Sequence, residues 1–337
     1  MKDSFVSHET PMNTPSTPLL FKPVYKDYIW GGDRIPAAYS RGDAPGRCAE
    51  SWEIAAHPDG DSVVAHGPFA GRTLSALTAE YGLALTGTRA PDPARFPLLF
   101  KLIDAREKLS VQVHPSDATA GLTGGEPKTE MWYVLDRTGG ATLYAGLRDG
   151  VTPAALRAAL ADGTAKRCLT EHPATPGQAI FIPGGLVHAI GDGCLIYEVQ
   201  QNSNTTYRLY DWDRVGADGT PRALHVGQSF KVIDWTRPPP AMTPPAVTRA
   251  TGAATWADVV SCGYFTLRRL TLTAAETLPV DGTSFHALFV ESGAAAVEAG
   301  GERHTLAAGT SCLIPASAAR YTLSPQAGGA TLLVTTL

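Results

Sequence analysis

Short runs of β-branched and aromatic residues, separated by glycine and proline, recur along most of the chain. The clearest are FPLLFKLID (96–104), EMWYVLD (130–136), AIFIPGG (179–185), CLIYEVQ (194–200), YFTLRRLTL (264–272) and TLLVTTL (331–337). Runs of this length between turn signals are typical of antiparallel strands. Helical signals are fewer: TPAALRAALADG begins with Thr152 as an N-cap and Pro153 at the first helical position, and TLSALTAEYG (73–82) is a second candidate. The pattern predicts a mostly β fold with a few short helices.

The densest run of proline marks the clearest internal boundary. Five prolines fall within eight residues of DWTRPPPAMTPPAVTRA (234–250), a composition typical of a stiff, extended linker. We therefore expect a first domain over 19–235, a linker over 236–248 and a compact β domain over 249–337. The polar leader, residues 1–18, is expected to be disordered.

An internal repeat relates the two expected domains. The segments PGQAIFIPGGLVHAI and AGTSCLIPASAARYT each contain a glycine, a proline six residues later and a third position five residues further on. These positions are Gly177, Pro183 and His188 in the first segment and Gly309, Pro315 and Arg320 in the second. In both, a glycine turn leads an apolar strand into a proline-centred turn, which is the spacing of a cupin-type jelly roll. We predict two such jelly-roll domains.

The two copies differ in their metal-binding capacity. An imidazole binds metals and a guanidinium does not, so His188 and Arg320 are not equivalent. Aligning EMWYVLD with FHALFVE sets Phe285 opposite Glu130. The first domain is therefore expected to hold a metal site, and the second to keep the scaffold without a metal.

Composition limits the class of protein. The chain has 337 residues and a net charge of −4, so it has no basic surface that would indicate a nucleic-acid partner. Its five cysteines are scattered and form no C-x-x-C pair, which fits a reducing cytosol. There is no signal-like apolar segment and no run long enough to span a bilayer. We expect a cytoplasmic protein without membrane partners, either a monomer or a weak homo-oligomer.

One candidate site begins in SVQVHPSD (110–117). Residues two apart on a strand share a face, so Ser110, Gln112 and His114 point away from the neighbouring valines. The candidate metal ligands are Gln112, His114, Glu130 and His188. Each alone is more often a hydrogen-bonded core or surface residue. Together they form a nitrogen and oxygen donor set suited to one divalent ion, most naturally Zn²⁺.

A second candidate lies in YEVQQNSNTTYRLYDWDR (197–214). The polar residues Glu198, Gln200, Asn204, Thr206 and Arg208 all have even numbers, so they would share one face of a strand pair. A solvated face is the simple explanation, but the flanking aromatic residues argue for a pocket. A guanidinium among aromatic residues suits a planar or phosphate oxyanion. Lys128 is either part of the same site or an ordinary loop cation.

Seven blocks closely resemble the type I mannose-6-phosphate isomerases, also called phosphomannose isomerases, particularly their short bacterial form. The blocks are KDYIWGGDRI, ESWEIAAHPDG, KLIDAREKLSVQVHPSD, KTEMWYVLD, IFIPGGLVHAI, YEVQQNSNTTYRLYDWDR and RALHVGQSFKVIDW. The similarity extends in one order from Leu19 to Trp235, and beyond the linker only the cupin pattern remains. One departure is the glycine-rich segment between His114 and Lys128, which lacks the charged stretch expected of the family.

The resemblance implies a zinc enzyme that interconverts mannose 6-phosphate and fructose 6-phosphate, its phosphorylated hexose substrate, through an enediolate. It assigns the metal to the positions of Gln112, His114, Glu130 and His188, and a catalytic role to Arg208. We favour Arg208 and Lys128 as the catalytic pair, with Glu198 a third candidate for handling the proton.

Two other functions remain open at the sequence level. His114, Glu130 and His188 also form the two-histidine, one-carboxylate set of non-haem iron oxygenases, although Gln112 would fill a position that oxygen needs. A non-catalytic sugar-binding cupin would keep the fold without the chemistry.

Overall fold

The computed structural model describes residues 14–216 and 219–337. Within these ranges the helices are α1 (Arg34–Ala38), α2 (Leu74–Tyr81), α3 (Leu83–Thr86), α4 (Pro153–Ala161) and α5 (Val226–Val232), with 3-10 turns at Ala120–Leu122, Ala165–Cys168 and Ala316–Ala318. The strands before the proline-rich segment are β1 (Phe21–Lys22), β2 (Val24–Lys26), β3 (Glu50–Ile54), β4 (Ala56–His57), β5 (Gly60–Asp61), β6 (Val63–Val64), β7 (Leu98–Ala105), β8 (Val111–Val113), β9 (Glu130–Arg137), β10 (Thr142–Leu147), β11 (Leu169–Pro173), β12 (Ala179–Ile182), β13 (His188–Ile190), β14 (Cys194–Gln201) and β15 (Tyr207–Tyr210). Those after it are β16 (Ala246–Ala250), β17 (Ala254–Ser261), β18 (Thr266–Leu272), β19 (Glu276–Pro279), β20 (His286–Ala299), β21 (Glu302–Ala307), β22 (Ser311–Ile314) and β23 (Arg320–Thr336).

The first jelly roll consists of two antiparallel sheets packed face to face. One has the order β12-β9-β14-β7-β3-β2 and the other β11-β10-β13-β8-β15. Apolar side chains from both sheets, such as Trp132, Leu143 and Ile196, form the core between them. Helices α4 and α5 pack on the outer face of the five-stranded sheet. The mostly β fold with short helices that the sequence predicts is confirmed.

The second jelly roll repeats the order of the first. Its sheet follows β16-β17-β18-β23-β20, with β22 pairing with β20, and this path matches β2-β3-β7-β14-β9-β12. Its own core includes Leu270, Leu288 and Leu332. The two jelly rolls therefore share a strand arrangement, as the glycine and proline spacing indicated.

A shared core joins the two units. It combines Phe100 and Tyr197 of the six-stranded sheet with Phe289 and Leu333 of the second jelly roll, and Tyr197 stacks on Phe289 with ring centroids 4.5 Å apart. Because both faces of β14 are covered, all but the last of its residues are buried. The central strand that carries Glu198 is consequently held from both sides.

The segments at the expected domain boundaries make specific contacts. Most of the expected leader lies outside the described residues, but Ser317 Oγ donates a hydrogen bond to the carbonyl of Pro15. Leu19 bridges to Leu313 of the second jelly roll, and Thr243 of the expected linker bridges to Ala179 at the edge of the first. The division at 236–248 stays a prediction.

Both helices expected from sequence are present with their caps. Thr73 accepts a hydrogen bond from the amide of Ala76 before α2, and Thr152 accepts one from Ala155 before α4. Leu156 of α4 is fully buried. No helix in the described part of the chain is long and apolar enough to cross a membrane.

Candidate metal centre and active site

Three predicted ligands meet at one end of the first jelly roll. His114 follows β8, Glu130 begins β9 and His188 begins β13. We call these three residues the donor cluster; one ligand atom from each lies within 4.8 Å of the others. The Nε2 atoms of His114 and His188 are 3.1 Å apart, and each is 3.4 Å from an oxygen of Glu130. Gln112 lies directly opposite His188 in the strand register.

Glycine at one turn allows this convergence. A β-carbon on Gly184 would lie 2.7 Å from the Cα of Ser116 and 2.8 Å from the carbonyl oxygen of Pro115. The amide of Gly185 donates to the carbonyl of His114 at 2.8 Å. The turn between β12 and β13 therefore packs directly on the backbone that follows His114, which brings His188 to the same place.

The hydrogen bonding of the donor cluster fits a metal ion. His188 Nδ1 lies 2.7 Å from the carbonyl oxygen of Leu186, which can only accept, so Nδ1 carries the proton and Nε2 presents a lone pair. Both carboxylate oxygens of Glu130 are buried, and besides the ammonium of Lys128 at 2.8 Å they face the Nε2 atoms of His114 and His188. Buried nitrogen and oxygen acceptors that converge on one point are suited to a cation.

Electrostatics keep these groups in their ligating forms. Burial lowers the pKa of His114 to about 3 and also lowers the pKa of His188, so both imidazoles are neutral at pH 7. Burial alone would raise the pKa of Glu130, but the ammonium of Lys128, 2.8 Å away, together with His114 and His188 holds that pKa well below its usual value. Neutral imidazoles and an ionised carboxylate are the forms that bind metal.

A polar cavity of about 300 Å³ adjoins the donor cluster, and we call it the first cavity. Its lining includes the predicted residues Gln112, Lys128, Glu198, Asn204, Thr206 and Arg208. Gln200, predicted on the same face, is not part of this lining and donates instead to the carbonyls of Gln201 and Ser203. A larger cavity of about 860 Å³ lies between the jelly rolls and is lined by none of the predicted site residues.

Arg208 is held in the first cavity by neutral oxygen atoms. Its Nε donates to Ser110 Oγ at 3.2 Å and its Nη1 to the carbonyl of Ala223 at 2.8 Å. The nearby carboxylate of Asp211 is bound by Arg214 and Arg222 instead. Burial, reinforced by the charge of Arg222, lowers the pKa of Arg208. The salt bridge that would make Arg208 a structural residue is not formed among the described residues.

The sequence prediction missed a buried charged group in the same cavity. The ammonium of Lys101 lies 3.3 Å from Glu198 and 3.5 Å from Glu50, and the Lys101 side chain is 3% exposed. Trp132 Nε1 donates to the other oxygen of Glu198 at 2.9 Å. Burial and the nearby Glu130 raise the pKa of Glu198. A lysine inside the apolar run FPLLFKLID was the sequence signal that could have identified this group.

The alignment of the two copies was wrong by one residue. Glu130 pairs with Ile182, the residue before Pro183, whereas Ile314, the residue before Pro315, pairs with His286. His286, not Phe285, therefore occupies the place of Glu130. On the other strand Arg320 is exposed, and Tyr321 is the buried residue that contacts His286.

Two family models match the chain. Residues 19–134 match the catalytic domain of type I phosphomannose isomerase, and residues 256–334 match the cupin domain of mannose-6-phosphate isomerase. The two matches fall in the first and second jelly rolls respectively.

Relatives match over most of their length. Mannose-6-phosphate isomerase ManA of Bacillus subtilis is 43% identical over 219 residues, which cover 64% of this chain and 68% of that protein. The mannose-6-phosphate isomerase of Streptococcus mutans is 35% identical over 299 residues, which cover 88% of this chain and 92% of that protein. A crystal structure of the mannose 6-phosphate isomerase from Bacillus subtilis superposes with a TM-score of 0.85 at 30% identity, over 95% of this chain and all of that one.

Proposed function

The chain belongs to the type I phosphomannose isomerase family of enzymes, and we propose that it interconverts mannose 6-phosphate and fructose 6-phosphate with one bound zinc ion. The observation that carries this proposal is the first cavity, which adjoins the donor cluster and contains Arg208, an arginine with no carboxylate partner in the part of the chain that the structure describes. A phosphorylated sugar brings the anion that Arg208 lacks.

The metal would be held by His114, Glu130 and His188, with Gln112 as the fourth ligand. These nitrogen and oxygen donors suit Zn²⁺. When bound, zinc acts as a Lewis acid that polarises sugar oxygens and stabilises developing negative charge.

Isomerisation moves one proton between C1 and C2 of the open-chain sugar through an enediolate. We assign stabilisation of the enediolate oxygen, or the grip on the phosphate, to Arg208, with Arg222 beside it in the same lining. Lys128 and Glu198 are the candidates that carry the proton. The raised pKa of Glu198 brings that carboxylate closer to the range in which proton transfer at neutral pH is efficient.

The proposal is tested by a coupled assay for fructose 6-phosphate formed from mannose 6-phosphate, with elemental analysis of the purified full-length protein. His188→Ala removes a nitrogen donor and is expected to abolish both zinc content and activity. His66→Ala changes an exposed histidine outside the cavity and serves as the matched control.

Full zinc occupancy in His188→Ala would contradict the ligand assignment. Iron in the wild-type protein together with consumption of oxygen would favour the oxygenase instead. A protein that binds mannose 6-phosphate without converting it would be a sugar-binding cupin.

A further inference from the structure

A second cavity, of about 470 Å³, opens at the mouth of the second jelly roll. It is lined by residues of β16, β17, β18 and β19 and by His286 at the start of β20. By the matching strand order, β17, β18 and β20 take the places of β3, β7 and β9, which line or adjoin the first cavity. The duplicated fold therefore has a cavity at the equivalent place in each copy, and this volume is within the range of small-molecule sites.

The charges of the second cavity are balanced. Arg268 Nε lies 3.1 Å from Asp258, and Arg249 Nη2 lies 3.1 Å from Glu276. Each guanidinium thus already has a carboxylate partner. This differs from the first cavity, where the Arg208 guanidinium donates to neutral oxygen atoms of the described residues, and it removes the reason for a charged ligand to enter.

Two ring side chains complete the lining. Trp256 Nε1 is buried and has no hydrogen-bond partner among the described residues. His286 Nδ1 lies 3.0 Å from the hydroxyl of Tyr321. Burial lowers the pKa of His286 to about 4, so the imidazole is neutral at pH 7. A neutral imidazole and an indole provide polar contacts and an apolar ring surface, and the Arg249 guanidinium lies over the indole at 5.9 Å from its centroid.

We propose that the second cavity is a binding site for a free, unphosphorylated hexose. Sugar hydroxyls donate to carboxylates and accept from guanidinium groups, so each ion pair offers both kinds of partner to one ligand. The C–H face of a pyranose is apolar and packs on an indole ring. No catalytic step takes place there. The site is separate from the proposed isomerase site and does not depend on it.

The test uses the full-length protein and free mannose, glucose and fructose at up to about 50 mM, followed by saturation-transfer NMR and calorimetry. At least one hexose is expected to bind with a Kd in the millimolar range. Trp256→Ala is expected to weaken that binding at least tenfold and leave isomerase activity unchanged.

Asp258→Asn is the second variant, because it keeps the shape of the side chain and removes one charged acceptor from the cavity. It is expected to weaken hexose binding severalfold. Glu298→Gln is its matched control: it neutralises an exposed carboxylate of the same jelly roll that is also paired with an arginine, Arg303, but lies outside the cavity.

Three outcomes would overturn the proposal. The first is that none of the three hexoses binds. The second is that binding persists in both Trp256→Ala and Asp258→Asn, or disappears in His188→Ala, which would place the ligand elsewhere. The third is that inorganic phosphate competes with the hexose, which would make the cavity an anion site.

Discussion

At the scale of single residues, the surroundings of Arg208 decide whether its side chain forms a structural ion pair. Its sequence neighbours include Asp211 and Asp213, yet Asp211 binds Arg214 and Arg222 and the hydroxyl of Tyr210 donates to Asp213. Removing Arg208 therefore leaves no carboxylate buried without a partner.

We predict that Arg208→Ala keeps zinc and loses little in melting temperature, while activity falls about a hundredfold or more. A fall in kcat at constant KM would assign Arg208 to the enediolate, and a rise in KM alone would assign it to the phosphate. Arg303→Ala, at an exposed arginine, should change neither parameter. Full activity in Arg208→Ala, or inactivity that results only from unfolding, would contradict the assignment.

The lowered pKa of His286 predicts that the stability of the protein depends on pH. Burial, which is the largest cause, and the charge of Arg268 lower its pKa to about 4, while the charge of Asp281 opposes the shift. Between this value and the ordinary value near 6.5 the unfolded chain binds a proton that the folded chain does not. The stabilisation is therefore complete above about pH 6.5 and is lost as the pH falls through 4.

Urea unfolding at pH 7 and pH 4 measures this contribution. Between these two pH values the wild type should lose about 2–3 kcal/mol more than His286→Gln, which does not titrate. The donor-cluster histidines are common to both proteins, so the difference isolates His286. Equal losses in the two proteins would show that His286 titrates normally.

At the scale of elements, the turn between β12 and β13 positions the donor cluster. Gly184 lies against the backbone of Pro115 and Ser116, directly after His114. The metal geometry thus depends on two segments about seventy residues apart, in addition to the ligands themselves.

Gly184→Ala should lower zinc affinity about tenfold or more, because the added methyl group displaces the backbone that carries His114. Competition with a chelator of known affinity measures the change. The control is Gly121→Ala, which should bind zinc normally. Gly121 lies in the β8–β9 connection that also contains Ser116, and its new methyl group would meet no described atom within 4 Å. Unchanged affinity in Gly184→Ala would show that the turn adapts.

At the scale of the whole molecule, a buried ion pair joins the two jelly rolls. Arg41 contacts both carboxylate oxygens of Glu53, at 2.7 and 2.9 Å, and Ser311 of the second jelly roll donates to Glu53 at 3.1 Å. Arg41 also donates to the carbonyl of Gly309. Glu53 is 2% exposed, so its charge depends on these partners.

Arg41→Met should reduce the free energy of unfolding by about 3–5 kcal/mol, because it leaves a buried carboxylate without its cation. Urea titration measures the loss, and Arg303→Met, at an exposed ion pair, should cost less than about 1 kcal/mol. A loss as small in Arg41→Met as in this control would mean that water or relaxation of the interface compensates the charge of Glu53.

The sequence by itself determined what depends on neighbouring residues. The caps at Thr73 and Thr152, the apolar strands and the glycine and proline turns are local signals, and each produced the expected element. The residue types of the donor cluster and six of the residues that line the first cavity were also predicted, because strand parity decides which side chains share a face.

Tertiary structure decided what depends on residues far apart in the chain. His286, rather than Phe285, takes the place of Glu130 because the pairing of β20 with β22 sets His286 opposite Ile314, and an error of one residue in that register exchanges the two faces of a strand. The ion pair of Lys101 with Glu198 joins two strands whose pairing no local pattern specifies. Among the described residues Arg208 has no carboxylate partner, because Asp211 is bound by Arg214 and by Arg222, which is farther from it in sequence than Arg208 is. Strand register and ion-pair partners of this kind depend on how the two sheets pack, and packing is a property of the whole chain.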